Sequence, residues 1–170
     1  NEMIGPAGFG EKKFVSKNDV LPYTILFEND PDFATAPAQN VFINHPIDNS
    51  LNLFSLRLAD FGFGDFTFEV PPNSTFYSAR LDVTDSLGVL VDVTAGIDVT
   101  KREAFWIFES VDPLTGLTPT GDNSHLGFLL VNDSITRRGE GFVNFTIKPA
   151  FDAETGDSIN PIASIVFDIN

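Results

Sequence analysis

Apolar and polar residues alternate along much of the chain, which is the period of a β-strand with one buried face. Turn residues follow these segments at intervals of roughly 8–12 residues, a spacing typical of sandwiches. No segment has the period of an amphipathic helix. The predicted strands are Lys12–Lys17 at a sheet edge, Leu21–Asn29, Ala38–Asn44, Leu51–Ala59, Phe63–Val70, Phe76–Val83, Val89–Ile97, Ala104–Val111, Gly139–Pro149 and Ile159–Asp168.

Several local patterns refine this sandwich. Two glycines within Asp60–Asp65 predict a hairpin turn between its flanking strands. The segment Ala104–Val111 is apolar on both faces around Trp106, so we expect a central strand that is covered on both sides, with Trp106 in the core. The last two segments flank a Thr-Gly-Asp turn and are predicted to close an antiparallel sheet.

The domain organisation follows from the segments without a period. Residues 1–11 contain three glycines and a proline, which predicts a linker or irregular lead-in before one sandwich domain at 12–170. The first residue, Asn1, is not a translation start, so the chain is expected to be part of a longer protein. The acidic segment Asp112–Arg138 predicts a long loop, and compact domains seldom keep such a loop without a purpose.

An ordered set of short motifs spans nearly the whole chain: Pro22–Asn29, Ala36–Val41, Asp112–Gly116, Gly127–Leu129, Gly139–Val143, Ile147–Pro149, Thr155–Asp157 and Ile165–Asn170. In this set the chain resembles a bacterial Ig-like domain family of uncharacterised function that occurs in large secreted or surface-anchored multidomain proteins. The resemblance implies an Ig-like antiparallel β-sandwich in an adhesin-like setting, and the strand pattern predicts an inserted hairpin pair between Leu51 and Asp98. The resemblance implies no catalytic residues.

Charge and composition limit the classes of partner that the chain is expected to bind. The 24 acidic and 10 basic residues give a net charge of −14, which disfavours nucleic acid and anionic membranes and favours cations. The chain has no cysteine, so disulfides and thiolate metal sites are excluded. No apolar run is long enough to predict a membrane span.

Acidic and amide side chains at the ends of predicted strands suggest a calcium site, because calcium accepts 6–8 oxygen ligands in flexible geometry. The alternative is that these side chains hydrogen-bond their own backbone in turns. The candidate metal ligands are Glu28, Asn29, Asp30, Asp32, Asp112 and Asp122, with Asn123 beside the last.

Catalysis has little support in the sequence. His45 precedes a proline, His125 lies in the long loop, and neither belongs to a hydrolase or metalloprotease motif. The sequence therefore predicts a protein that is not an enzyme. For carbohydrate recognition, which uses exposed rings and planar polar groups, Tyr77 and Arg80 are the predicted ligand-binding pair.

Two hypotheses of function remain. The first is a secreted or cell-surface structural or adhesive module that contacts neighbouring domains of the same chain and is stabilised by calcium. The second is a carbohydrate-binding module for an extracellular polysaccharide.

Overall fold

The computed structural model describes residues 2–168 and confirms the predicted all-β sandwich, with 46% strand and 4% helix. Two antiparallel five-stranded sheets pack face to face. The elements are β1 (Glu2–Ile4), β2 (Leu21–Glu28), β3 (Asn40–Pro46), β4 (Leu51–Phe63), β5 (Phe66–Phe68), β6 (Tyr77–Asp82), α1 (Thr84–Leu87), β7 (Leu90–Asp98), β8 (Glu103–Val111), β9 (Glu140–Pro149) and β10 (Ser164–Phe167).

The long strands are nested across the two sheets. The first sheet has the order β1-β2-β9-β4-β5, and the second has the order β10-β3-β8-β7-β6. Strand β2 pairs with β9 in the first sheet. In the second sheet β3, which follows β2 in the chain, pairs with β8, which precedes β9. Segments 29–39 and 112–139 therefore cross between the sheets at one end of the sandwich, which we call the loop end.

The core lies between the sheets and is rich in phenylalanine. Strands β2, β8 and β9 point alternate residues inward, as the two-residue period predicts, whereas the pairing of β4 with β9 is interrupted by shifts of register. The ring of Phe108 occupies the centre, with the rings of Phe27, Phe61 and Phe128 at centroid distances of 5.8, 5.7 and 5.6 Å. Trp106 is 1% exposed, which confirms its predicted place in the core.

Phenylalanine rings cover strand glycines on both sheets. Gly62 pairs with Phe142 across β4 and β9, and a Cβ on Gly62 would lie 2.6 Å from the Phe142 ring. Gly96 pairs with Phe105 across β7 and β8, and a Cβ there would lie 3.0 Å from that ring. An aromatic ring that lies over a cross-strand glycine replaces the packing the glycine lacks. These two glycines let the rings lie along the sheet surface.

Several predicted elements differ from the observed ones. The closing strands β9 and β10 lie in opposite sheets and do not pair with each other, because the chain from 150 to 163 crosses the sandwich. The predicted strand Lys12–Lys17 is reduced to a single bridge between Phe9 and Phe14. The predicted lead-in instead contributes β1, which pairs with β2.

The region between Leu51 and Asp98 supplies two strands to each sheet and so is part of the sandwich framework. Its first strand continues through the predicted turn to Phe63, and the hairpin turns at Gly64 and Asp65. The positive φ of Gly64, 52°, suits this turn. Within residues 2–168 two short helices were not predicted, α1 and a 3₁₀ helix at Gly121–Asn123 in the long loop.

Candidate metal and ligand sites

The structure does not bring Tyr77 and Arg80 together. They are three residues apart on β6, so their side chains lie on opposite faces of the sheet. Tyr77 points inward, with its ring centroid 5.6 Å from that of Phe61 in the other sheet. Arg80 points outward and forms a bidentate ion pair with Asp92, at 2.6 and 2.7 Å. The predicted carbohydrate-binding pair is therefore not a single site.

Glu28 belongs to a hydrogen-bonded cluster at the loop end. It lies directly opposite Glu140 in the pairing of β2 with β9. Asn132 donates from Nδ2 to Glu28, at 2.7 Å, and to Glu140, at 3.3 Å. Arg137 forms an ion pair with Glu140 at 2.7 Å and, with Asn132, lowers the pKa of that carboxyl. Hydrogen bonds from the Asn132 amide and the ion pair with Arg137 thus offset the repulsion between the carboxylates of Glu28 and Glu140.

Asn29 is a buried connector between loops. It is 5% exposed and donates from Nδ2 to the carbonyl oxygens of Ala36 and Leu129, at 3.1 and 3.0 Å. Its backbone N–H donates to Gly139, and its carbonyl accepts from Asn132. Gly139 has no space for a Cβ because the backbone of Asn132 fills it. Asn29 and Asn132 together hold the two loop-end crossovers against each other, and we call this pair the asparagine clamp.

Two of the remaining candidate carboxylates, those of Asp30 and Asp112, accept hydrogen bonds from loop groups. Asp30 accepts from the backbone N–H of Asp32. Asp112 is 4% exposed and accepts from the N–H of Leu114 and from Asn123 Nδ2, both at 2.8 Å; these bonds, that from Asn123 first, lower its pKa. Asp122 is exposed, and its carbonyl contacts His125. Asp30 and Asp112 therefore serve local turns, the role expected of aspartate at such positions.

Within residues 2–168, no three His, Asp or Glu side chains come together as metal ligands. Among the candidate ligands, Asn123 donates to Asp112, and separately Glu28 and Glu140 both accept from Asn132. Calcium can draw on carbonyls and on two or three carboxylates, so these loops offer oxygen ligands but no assembled cage. In the same residues, no helix is long and apolar enough to cross a membrane.

His45 is a buried histidine that joins the core to the last strand. It is 2% exposed, its ring centroid lies 5.3 Å from that of Phe145, and Nδ1 donates to the carbonyl oxygen of Ile162 at 2.7 Å. Burial lowers the pKa of His45, and the bond to Ile162 opposes that shift. The neutral ring thus holds the chain just before β10.

This burial predicts that stability falls in mild acid. With a folded-state pKa below the unfolded value of about 6.5, the unfolded chain binds more protons, so the stabilisation is complete above pH 6.5 and is lost as pH falls below it. Urea unfolding between pH 7.5 and 5.5 should show that the free energy of unfolding falls more steeply with pH for the unmodified protein than for His45→Gln. The matched control is His125→Gln, because His125 is exposed and should retain the full pH dependence. Parallel pH profiles for the unmodified protein and His45→Gln would contradict this prediction.

The outer face of the second sheet was missed by sequence reasoning. Phe105 and Ile107 of β8 point away from the core and are only partly buried, with no further layer of the described chain over them, so the predicted covering of this strand on both sides is wrong. The sequence signal was present in the acidic residues Glu103 and Glu109, which end the apolar run on that face. Asn132 was missed because it lies in a segment without a period.

No family model, curated protein or solved structure matches this chain. The strand arrangement thus supports the fold class, and the resemblance to a bacterial surface-domain family stays a prediction.

Proposed function

We propose that this chain is a non-catalytic structural or adhesive β-sandwich module of a larger secreted or cell-surface protein. One observation carries the proposal: buried and partly buried side chains at the loop end hydrogen-bond loop backbone, which restrains the crossovers. Asn29 and Asn132 join both crossovers, and Gln39 donates from Nε2 to the carbonyls of Pro119, Ser124 and Leu126. A rigid sandwich can carry load or present a surface without changing shape.

The opposite end and the last strand have similar connections. Arg102 donates to the backbone carbonyls of Ile47, Asp48 and Leu51, at 2.6 to 3.1 Å, and so holds the crossover between β3 and β4. Asp168 accepts from the backbone N–H groups of Gln39 and Asn40, which ties the end of β10 to β3. These hydrogen bonds support a module that keeps a fixed shape rather than one whose loops move in its function.

Hydrogen exchange tests the proposal directly. The backbone amides of Asn29, Asn132 and Gly139 should exchange as slowly as those in β8 and β9, because they are bonded at the asparagine clamp. The amides of Thr118 and Ser134, in exposed parts of the same segment, are the comparison and should exchange fast. Equally fast exchange at the clamp would remove the observation on which the proposal depends.

Affinity electrophoresis separates the carbohydrate-binding alternative. Migration through gels that contain soluble polysaccharides should be unchanged, both with calcium and with a chelator. Retardation by any polysaccharide would favour the carbohydrate-binding module, since glycan modules bind through exposed rings and planar polar groups.

Calcium is proposed as a stabiliser that folding does not require. Carboxylates crowded into the loops repel one another at a net charge of −14, and a divalent cation relieves that repulsion. A ligand that binds only the folded state adds about 2.7 kcal/mol at a hundredfold excess over Kd, which raises Tm by several degrees. Melting curves in millimolar calcium should therefore lie above those in chelator, and magnesium is the control for general charge screening. Coincident calcium and chelator curves would contradict the prediction.

A further inference from the structure

The outer face of the second sheet carries an apolar strip across its middle. Val166, Phe42 and Ile107 occupy one cross-strand row through β10, β3 and β8. Phe105 lies in the adjoining row, beside Phe76. Val166 is 44% and Phe76 is 61% exposed. An apolar strip of this kind, when it is rimmed by polar residues, marks an interaction surface.

This strip is flattened by a glycine. At Gly96 an added Cβ would lie 3.0 Å from the Phe105 ring and 3.1 Å from the Phe76 ring, so both rings reach across β7 where a side chain would otherwise stand. The two rings therefore lie low over the sheet. A low, even surface suits an extended partner or another sheet face, since packed sheets meet about 10 Å apart.

Acidic residues border the strip on both sides. Asp92 lies directly opposite Glu109 in the pairing of β7 with β8, and Asp98 lies opposite Glu103. Like charges directly opposite each other destabilise a sheet. Arg80 pairs with Asp92, and Lys101 lies 3.8 Å from Asp98, so both aspartates have a cation of their own. These cations offset the charge of the two aspartates, so the net negative charge of the border comes from Glu103 and Glu109.

We propose that this face binds an extended segment of a partner protein that carries basic residues on either side of an apolar centre. Along β8 the outward residues are Glu103, Phe105, Ile107 and Glu109. The complementary partner presents Lys or Arg, apolar, apolar, and Lys or Arg at alternate positions, which places its two cations about 20 Å apart. The proposal rests on the adhesive form of the proposed function and names its partner.

Charge decides among the possible occupants of this face. A second copy would set the same acidic rows against each other on a chain of net charge −14, which repulsion opposes. A neutral polysaccharide would supply no counter-charge for Glu103 and Glu109. A basic and apolar segment satisfies both the strip and its border, and it gains association rate from electrostatic steering.

The probe is the peptide acetyl-Lys-Thr-Phe-Thr-Phe-Thr-Lys-amide, titrated into the full chain labelled with nitrogen-15. Amide shifts should be confined to β3, β7, β8 and β10, and the affinity should weaken with added salt. Replacing both peptide lysines by glutamate should abolish the shifts, and replacing both phenylalanines by serine should weaken them strongly. Equal shifts with the glutamate peptide, or shifts centred on the first sheet, would overturn the proposal.

Matched variants test the acidic border. The double change Glu103→Gln and Glu109→Gln should weaken peptide binding about fivefold, the effect of losing two surface ion pairs. The control is Glu69→Gln with Glu154→Gln, which changes net charge equally at two exposed sites away from this face and should leave binding unchanged. An equal loss in both variants would overturn the proposed contacts.

Two further measurements distinguish other occupants. Sedimentation at increasing protein concentration should show no self-association, and association through this face would overturn the proposal in favour of a second copy. Shifts of the same amides with a neutral oligosaccharide, but none with the peptide, would overturn it in favour of a glycan. Slow exchange at the asparagine clamp without peptide binding would leave the proposed structural function intact while rejecting this partner.

Discussion

Replacing Phe108 with alanine should lower the free energy of unfolding by about 3–5 kcal/mol, the range for a phenylalanine removed from a close-packed core. Phe108 of the second sheet is fully buried, and its ring lies among the rings of Phe27, Phe61, Phe63 and Phe128, which come from the first sheet and from the long loop. The cavity would form where the sheets and the loop meet. Phe27, Phe61 and Phe63 are held by strand pairing, and the backbone N–H of Phe128 donates to Ser110 Oγ, so these neighbours cannot all move inward to fill the cavity.

The matched control for Phe108→Ala is Phe54→Ala. Phe54 lies on β4 with 73% of its surface exposed, so the same change there should alter stability by no more than about 0.5 kcal/mol. Urea titration of both variants gives the difference, provided that the dependence on urea concentration stays the same. A loss below 1 kcal/mol for Phe108→Ala would show that the two sheets do not depend on this ring for their packing.

The presence of strands, and which of their side chains point into the core, were predictable from local sequence, because the side-chain period of a strand is local. In Leu21–Glu28 the inward residues Tyr23, Ile25 and Phe27 are the ones that alternation selects. The same holds for Phe145 and Ile147 of β9, which are 1% and 0% exposed. Ile165 and Phe167 of β10 point inward but are only partly buried, because an edge strand covers less of the core.

Pairing between strands was not predictable in the same way, because partners are chosen by contacts far apart in sequence. The Thr-Gly-Asp turn after β9 suggested a hairpin, yet the chain crosses the sandwich and β10 pairs with β3. That crossing is directed by bonds that no local pattern shows, such as the one from His45 to the Ile162 carbonyl. Similarly, the strand predicted at Lys12–Lys17 has the composition of an edge but no partner strand in residues 2–168.

Residue type alone did not identify the binding sites of this chain. Tyr77 and Arg80 were chosen for their chemistry, although their odd separation on one strand already places them on opposite faces. Asp30, Asp112 and Asn29 were chosen as oxygen ligands, and each has hydrogen bonds to loop backbone instead. The outer face of the second sheet needed cross-strand registers, because its acidic border appears only when Glu109 meets Asp92.

Replacing Asn132 with aspartate should lower the free energy of unfolding by about 3 kcal/mol at pH 7.5, the range for buried hydrogen bonds to charged groups that lose their donor. Asn132 is 8% exposed, and its Nδ2 donates to both Glu28 and Glu140. The variant removes that donor and adds a third carboxylate to the cluster. The variant side chain keeps an oxygen that accepts from the Gly139 N–H. The loss of stability therefore measures the effect on the carboxylates rather than the loss of that loop hydrogen bond.

The pH dependence of that loss identifies its cause. If repulsion among carboxylates dominates, the folded variant gains stability by taking up protons, so the difference from the unmodified protein should shrink between pH 7.5 and 5. Asn132→Ala removes the donor without adding charge and also leaves the Gly139 N–H unsatisfied, so its loss should change less over that range. Asn18→Asp, in an exposed loop, should be nearly neutral at both pH values. A constant difference for Asn132→Asp would mean that geometry at the asparagine clamp, rather than charge, determines the stability of the loop end.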